Sequence, residues 1–300
     1  MPDEPATMPR FSVIVPTFNR PVELAACLRA LASLDYPVER YEIVVVDDGS
    51  DPPVGLPGNL PRPGLRVRVL AQPNRGPSAA RNAGARAAMG DMLAFTDDDC
   101  APEAGWLRAM AEAAACSPRA LLGGRVVNGL AGNRCSVASE AIVEAIMLHL
   151  FASGSALRFL TSNNLALSAD HFRAMGGFDE RFRTAEDREF CHRWTADTRP
   201  IALVPDAVVE HRHDLTVATF WRQNFGYGRG AFRFHAKRAP SEPPLRLANV
   251  VMHARAFRRA FDAMPLREVL RVVPLLAVWQ IANACGFAYQ WALERRARSR

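Results

Sequence analysis

The sequence predicts an α/β fold, a doubly wound and mostly parallel sheet followed by a helical C-terminal extension, on three observations. Strand-like and helix-like stretches alternate throughout residues 11–115, the order that builds parallel sheets. The strand-like runs are continuously apolar, as strands covered on both faces are. Acids stand where these runs end, at Asp47-Asp48 and at Asp97-Asp98-Asp99, and ligands of such sheets bind outside the carboxyl ends of the strands.

FSVIVP at 11–16 is a short β-rich run closed by proline, and Val22 to Ser33 carries Leu24, Leu28 and Leu31 at helical spacing. YEIVVVDDGS at 41–50 repeats the pattern of an apolar run ending in acids and glycine. After a loop over 51–64 rich in proline and glycine, Arg66 to Leu70 supplies a third strand. The alanine-rich Ser78 to Met89 supplies a helix, and MLAFTDDDC at 92–100 a further strand. IALVPDAVVE at 201–210 is strand-like, and 245–262 reads as helix.

The chain has 300 residues, of which 49% are hydrophobic, enough for one large core or two modest ones. Its formal net charge of +6 comes from arginines spread along the chain and thickening after Arg212, which points to an anionic substrate and a membrane surface rather than to nucleic acid. The six cysteines form no CxxC pair and no zinc spacing, so free thiols in a reducing, cytoplasmic compartment are expected. Residues 1–10 are polar and the first apolar run is strand-sized, so no signal peptide is expected.

Side chains alternate along an extended chain, so Asp97 and Asp99 are expected to project the same way and share a divalent cation, with Asp98 pointing elsewhere. Neither GxGxxG after the first strand nor GxxxxGK[ST] occurs, which leaves phosphate binding to a metal and to side chains. A solvated acidic turn that caps the next helix is the structural alternative.

VIVPTFNR at 13–20, VVVDDGS at 44–50, NRGPSAARNAG at 74–84 and FTDDD at 95–99 resemble the nucleotide-binding half of family 2 glycosyltransferases. NNLALSADHFRAMGGFDERF at 163–182, AEDREFCHR at 185–193 and VPDAVVEHRH at 204–213 are similar to the acceptor half. The resemblance implies a GT-A fold over 11–235, divided into a nucleotide-binding half, 11–115, and an acceptor half, 116–235. A flexible N terminus at 1–10 and a helical extension at 236–300 flank it.

It further implies inverting transfer from a nucleotide diphosphate sugar, UDP-sugar favoured, to a hydroxyl acceptor, which the apolar and basic C-terminal tail suggests is a cell-envelope glycan or lipid-linked sugar. Asp48 would hydrogen-bond the donor base, with the backbone at Pro16 and Thr17 against it. A turn or helix cap with Gly49 and Ser50 is the other reading of Asp48. Asp98 would lie near the ribose or sugar. Asp99, with Asp97 and with His211 as the third protein ligand, would hold Mn²⁺ or Mg²⁺; His213 is the substitute. Asp187 would be the base, with Glu186 beside it, although both also suit the first turn of a helix.

Asn164 matches the family's acceptor-side asparagine, a position that an internal hydrogen bond explains equally. TFWRQNFGYGRG at 219–230 reads either as a mobile flap, with Trp221 or Tyr227 stacking on a sugar and Arg229 reaching the diphosphate, or as a packed helix ending in a glycine-rich turn. Gln223 is present where processive synthases of the family carry QxxRW, but RW is not, which favours single-sugar addition. Val272 to Leu293 holds no formal charge and is flanked by arginines. Its length would allow a membrane span, but its polar residues and aromatics favour a helix lying on the inner face of the cytoplasmic membrane through 265–300, with a packed helix as the alternative. A nucleotidyltransferase and a non-catalytic sugar-nucleotide binding module are the alternative functions; residues 13–20 lack the glycines of the first, and the second needs no Asp187.

Overall fold

The computed structural model describes residues 8–56, 62–152, 158–238 and 266–298. The expected N-terminal stretch up to residue 7 and the helix expected over 245–262 lie outside the described residues. In chain order the first elements are β1 (Phe11–Thr17), α1 (Pro21–Ala32), β2 (Tyr41–Asp47), β3 (Arg66–Ala71), α2 (Pro77–Ala87), β4 (Met92–Phe95), β5 (Cys100–Pro102), α3 (Trp106–Cys116) and β6 (Leu121–Asn128). They are followed by α4 (Arg134–Ala152), β7 (Leu165–Ser168), α5 (Ala169–Ala174), α6 (Glu186–Ala196), β8 (Ile201–His211), α7 (Val217–Lys237) and α8 (Leu266–Arg298). The chain divides into two units. The first comprises Met1–Val127, Leu160–Arg181 and Phe190–Arg212; the second comprises Asn128–Phe159, Phe182–Glu189 and His213–Arg300.

The first unit is built on an eight-stranded sheet in the order β3, β2, β1, β4, β7, β6, β8, β5. β1, β2, β3 and β4 pair in parallel, whereas β7 runs antiparallel to β4 and β6, and β5 antiparallel to β8. Every residue of β1 and β2 is buried, the physical reason that both runs are apolar without alternation. Thr17 pairs with Asp47, so the carboxyl ends of β1 and β2 are flush and the acids that follow share one edge. Proline opens both α1 and α2, where its missing N–H costs nothing. Leu24, Leu28 and Leu31 of α1 enter the core with Val13, Val15, Ile43 and Trp106. α2 lies close on the sheet at Gly84, where a Cβ would come within 2.5 Å of Ile14 Cγ2.

The second unit contains α4, α7 and α8, with a core of Cys135, Ile142, Leu215, Phe220, Val272, Leu275 and Trp279. Thr216 starts α7 with a capping box, its hydroxyl accepting from Thr219 N at 3.1 Å while its own N–H donates to Thr219 Oγ1 at 2.8 Å. The packed-helix reading of 219–230 is the one that fits, except that no turn ends it: the helix runs on through the glycines over 21 residues. Gly228 and Gly230 serve close packing. A Cβ on Gly228 would lie 2.1 Å from Asn283 O, and one on Gly286 of α8 2.0 Å from Phe225 O. Each glycine weakens its helix by about 1 kcal/mol relative to alanine, a cost offset by backbone-to-backbone approach that no side chain permits. One face of α8 buries Val272, Leu275, Trp279 and Ala282, while Leu270, Val273, Ile281 and Trp291 are exposed. Arg134–Ala152 and Val269–Ala297 are long and apolar enough to cross a bilayer by length and composition.

Candidate active site

The acids after β4 do not continue as a strand. Cys100 N donates to Asp97 O at 3.1 Å, closing a turn over 97–100, so the alternation expected of an extended chain does not apply. Asp97 and Asp99 do not face one partner. Asp97 pairs with the buried Arg81 of α2, whereas Asp98 and Asp99 converge on Arg20, whose Nη1 lies 3.2 Å from Asp98 Oδ1 and 2.8 Å from Asp99 Oδ2. Thr17 Oγ1 donates to Asp98 Oδ2 at 2.7 Å. Burial, and then the neighbouring carboxylates, push the Asp98 carboxyl up to about 7, against the pull of Arg20 and the Thr17 hydroxyl. Burial works against the charge of Arg20, but Asp99 and Asp98 hold it firmly cationic.

β8 returns antiparallel to β5 with His211 opposite Cys100, and Arg212 N donates to Asp99 O at 2.8 Å. This pairing brings His211 Nε2 to 3.5 Å from Asp99 Oδ1. Asp99, Cys100 and His211 offer ligand atoms all within 4.8 Å of one another. A carboxylate oxygen and an imidazole nitrogen at that separation fit a divalent cation. Asp97, tied to Arg81, is not in the group, and His213 belongs to the second unit.

Asp48 is committed to the chain. Its Oδ1 accepts from Gln72 Nε2 at 2.7 Å and Arg75 N at 2.9 Å, and its Oδ2 accepts from Gly76 N at 2.8 Å, which fixes the entry to α2. One acceptor direction of the carboxylate remains. Asp47 beside it accepts from Ser50 N at 2.9 Å and Val54 N at 3.0 Å; burial alone would raise its carboxyl, but these bonds outweigh it and hold the group below its usual range. Pro16 and Thr17 are buried at the end of β1. Asn164 is buried and its amide is bonded within the fold: its Oδ1 accepts from Trp106 Nε1 at 2.9 Å, and its Nδ2 donates to Arg125 O at 3.0 Å and Ala207 O at 2.9 Å. These are the bonds that the internal hydrogen-bond reading of this residue expects.

Glu186, Asp187, Trp221, Tyr227 and Arg229 belong to the second unit. Glu186 is buried and Asp187 half-buried at the start of α6, preceded by Ala185 at φ 66°, and Asp187 Oδ1 accepts from Arg188 N at 2.7 Å. Trp221 and Tyr227 are exposed on α7, and Tyr227 OH accepts from Gln223 Nε2 at 2.9 Å. Arg229 is engaged within its own unit, donating to Gln290 Oε1 at 3.0 Å with its guanidinium 5.4 Å from the Tyr289 ring centre. The sequence reading left Arg20 and Arg81 without a role, although both stand inside conspicuous segments, VIVPTFNR and NRGPSAARNAG. The need of three clustered carboxylates for counter-charge was the available signal.

The profile of Glycosyl transferase family 2 matches residues 12–176. The pre-mycofactocin glycosyltransferase of Mycobacterium tuberculosis is 28% identical over 240 residues, covering 78% of this chain and 49% of that protein. The GalNAc(5)-diNAcBac-PP-undecaprenol beta-1,3-glucosyltransferase of Campylobacter jejuni is 37% identical over 95 residues, 31% of this chain and 30% of that one. The chain spans about half the length of the curated relatives that it matches over most of its own length. Among solved structures, the mannosyltransferase PcManGT from Pyrobaculum calidifontis in complex with GDP-Man and Mn²⁺ superposes with a TM-score of 0.59 at 20% identity, over 96% of this chain and 86% of that one. The expected GT-A fold is present.

Proposed function

Since the chain belongs to glycosyl transferase family 2, we propose that it moves one sugar from a nucleotide diphosphate sugar, UDP-sugar favoured, to a hydroxyl of a cell-envelope glycan or lipid-linked acceptor with inversion at the anomeric carbon. The observation that carries this reading is the convergence of Asp98, Asp99, Arg20 and His211 at the carboxyl ends of the strands, where a doubly wound sheet binds its ligand. Asp99 and His211 would hold Mn²⁺ or Mg²⁺, and the bound cation would neutralise charge on the leaving nucleotide diphosphate.

Pro16, Thr17 and the remaining acceptor direction of Asp48 receive the nucleoside side of the donor. Thr17 and Arg20 hold Asp98 in place, next to the ribose or sugar. Asp187 takes the proton of the acceptor hydroxyl as its oxygen bonds to the anomeric carbon and the bond from that carbon to the diphosphate breaks. The exposed apolar residues of α8, with Arg295 and Arg296 near its end, suit an anionic membrane surface, which agrees with a lipid-linked acceptor and a peripheral, inner-face location.

Calorimetry against UDP, GDP and dTDP, with and without Mn²⁺, tests the donor half of the reading. One nucleotide is expected to bind, and to lose its binding on chelation; a folded protein that binds none of them overturns it. Sedimentation with anionic and with neutral vesicles tests the membrane contact, which binding to neither would exclude.

A further inference from the structure

Beside Asp99 and His211 stands a third donor that hard-cation chemistry does not call for. We propose that Cys100 is a thiolate ligand of the metal position, so that this site takes borderline cations such as Zn²⁺ and Co²⁺ in preference to Mg²⁺. The inference rests on the metal reading above and deepens it.

The geometry comes from strand pairing. Cys100 and His211 are directly opposite each other in the β5–β8 ladder, and residues so paired share one face of the sheet. The same ladder holds Asp99 through Arg212 N. Asp99 divides its oxygens between two tasks. Oδ2 faces Arg20 at 2.8 Å, whereas Oδ1 lies 3.5 Å from His211 Nε2 and 3.9 Å from Cys100 Sγ. A cation at Oδ1 therefore leaves the Arg20 contact intact. Tetrahedral zinc with ordinary bond lengths to oxygen, nitrogen and sulfur sets O to N at about 3.4 Å and O to S at about 3.6 Å. The O to N and O to S separations, 3.5 and 3.9 Å, lie close to these values, and all three ligand atoms are within 4.8 Å of one another, within the reach of side-chain adjustment. Carboxylate, imidazole and thiolate together form a set that suits zinc and cobalt, whereas magnesium prefers oxygen alone. The thiol proton passes to solvent as the sulfur–metal bond forms. A cation held there would supply Lewis-acid chemistry to the diphosphate of the donor.

The test uses the full chain carrying Cys116→Ser and Cys285→Ser, which removes the two exposed thiols, titrated with Co²⁺ under reducing conditions. A thiolate-to-cobalt charge-transfer band in the near ultraviolet is expected. It should vanish in Cys100→Ser and persist in Cys27→Ser. Cys100→Ser should weaken Co²⁺ and Zn²⁺ binding about tenfold or more while leaving Mg²⁺ binding unchanged, a split that a merely structural cysteine would not produce. Co²⁺ bound without the band, or with a band that survives Cys100→Ser, overturns the ligand and leaves the metal reading standing. A folded protein that binds neither Co²⁺ nor Mn²⁺, with or without UDP, overturns both. If Cys100→Ser and Cys100→Ala both fail to fold, the cadmium NMR shift of the parent chain decides, since a sulfur ligand moves it far downfield of an all-oxygen-and-nitrogen set.

Discussion

Asp98→Asn should make the protein more stable at neutral and alkaline pH, and the gain should grow with pH. The Asp98 carboxyl is 6% exposed and is pushed by burial from 3.8 to about 7. A carboxyl whose folded-state value lies above its unfolded one keeps a proton that the unfolded chain has released, so it contributes full stability below 3.8 and loses it as pH rises through about 7. The shift of about three pKa units, at about 1.4 kcal/mol each, caps the loss at about 4 kcal/mol. About two of those units fall between about pH 5 and pH 8, so the parent chain should lose on the order of 2–3 kcal/mol relative to Asp98→Asn across that interval. Asparagine keeps an acceptor for Thr17, and Arg20 keeps Asp99. Urea unfolding of both proteins at the two pH values, in chelator, measures the difference, and comparing the two proteins cancels every other titrating group. Parallel pH profiles, or a gap that narrows on raising the pH, would refute the reasoning and mean that Arg20 and Thr17 overcome the cost of burial.

Gly286→Ala sets a Cβ 2.0 Å from Phe225 O and should cost about 1–3 kcal/mol of stability, whereas Gly132→Ala, which meets nothing within 4 Å, should be close to neutral; thermal unfolding reads both. Asn164→Leu strands the Trp106 indole N–H and the carbonyls of Arg125 and Ala207, with an expected loss of about 2–4 kcal/mol and no change in nucleotide affinity of the protein that remains folded. A selective loss of acceptor affinity in that variant would restore the acceptor role. Asp187→Asn should retain metal-dependent nucleotide binding yet lose transfer by about 10²-fold or more, while Asp99→Ala should weaken that binding itself. Equal loss of nucleotide affinity in both would sink the assignment of separate tasks.

What could be read in the chain and what could not separates along range of interaction. The runs 11–16, 41–47 and 92–95 announce buried strands because both faces are covered, whereas the acids at their ends also serve the local chain, as Asp47 and Asp48 do. The direction of those acids was misread since alternation holds only while the backbone is extended, and a hydrogen bond between residues 97 and 100 ends that condition. Their partners were misread for a different reason: Arg20 is 79 positions from Asp99, and charge does not reveal its partner along the sequence. The glycines of α7 show the limit of local propensity. In isolation Gly226, Gly228 and Gly230 argue against a helix; beside the backbone carbonyls of Asn283 and Thr184, Gly228 and Gly230 are what lets the helix pack closely.

The same contrast explains Asn164 and Cys100. Asparagine in a segment similar to an acceptor site looks functional until Trp106, Arg125 and Ala207 claim its amide. A cysteine after three aspartates looks like an ordinary buried thiol until the register of β5 on β8 sets it across from His211. In each case the residue type states which bonds are possible, and only the pairing of distant strands selects among them. At this sheet edge it is pairing that gives Asp99 one oxygen for Arg20 and the other for His211 and Cys100. A single carboxylate can thereby anchor a permanent counter-charge and still face an exchangeable cation.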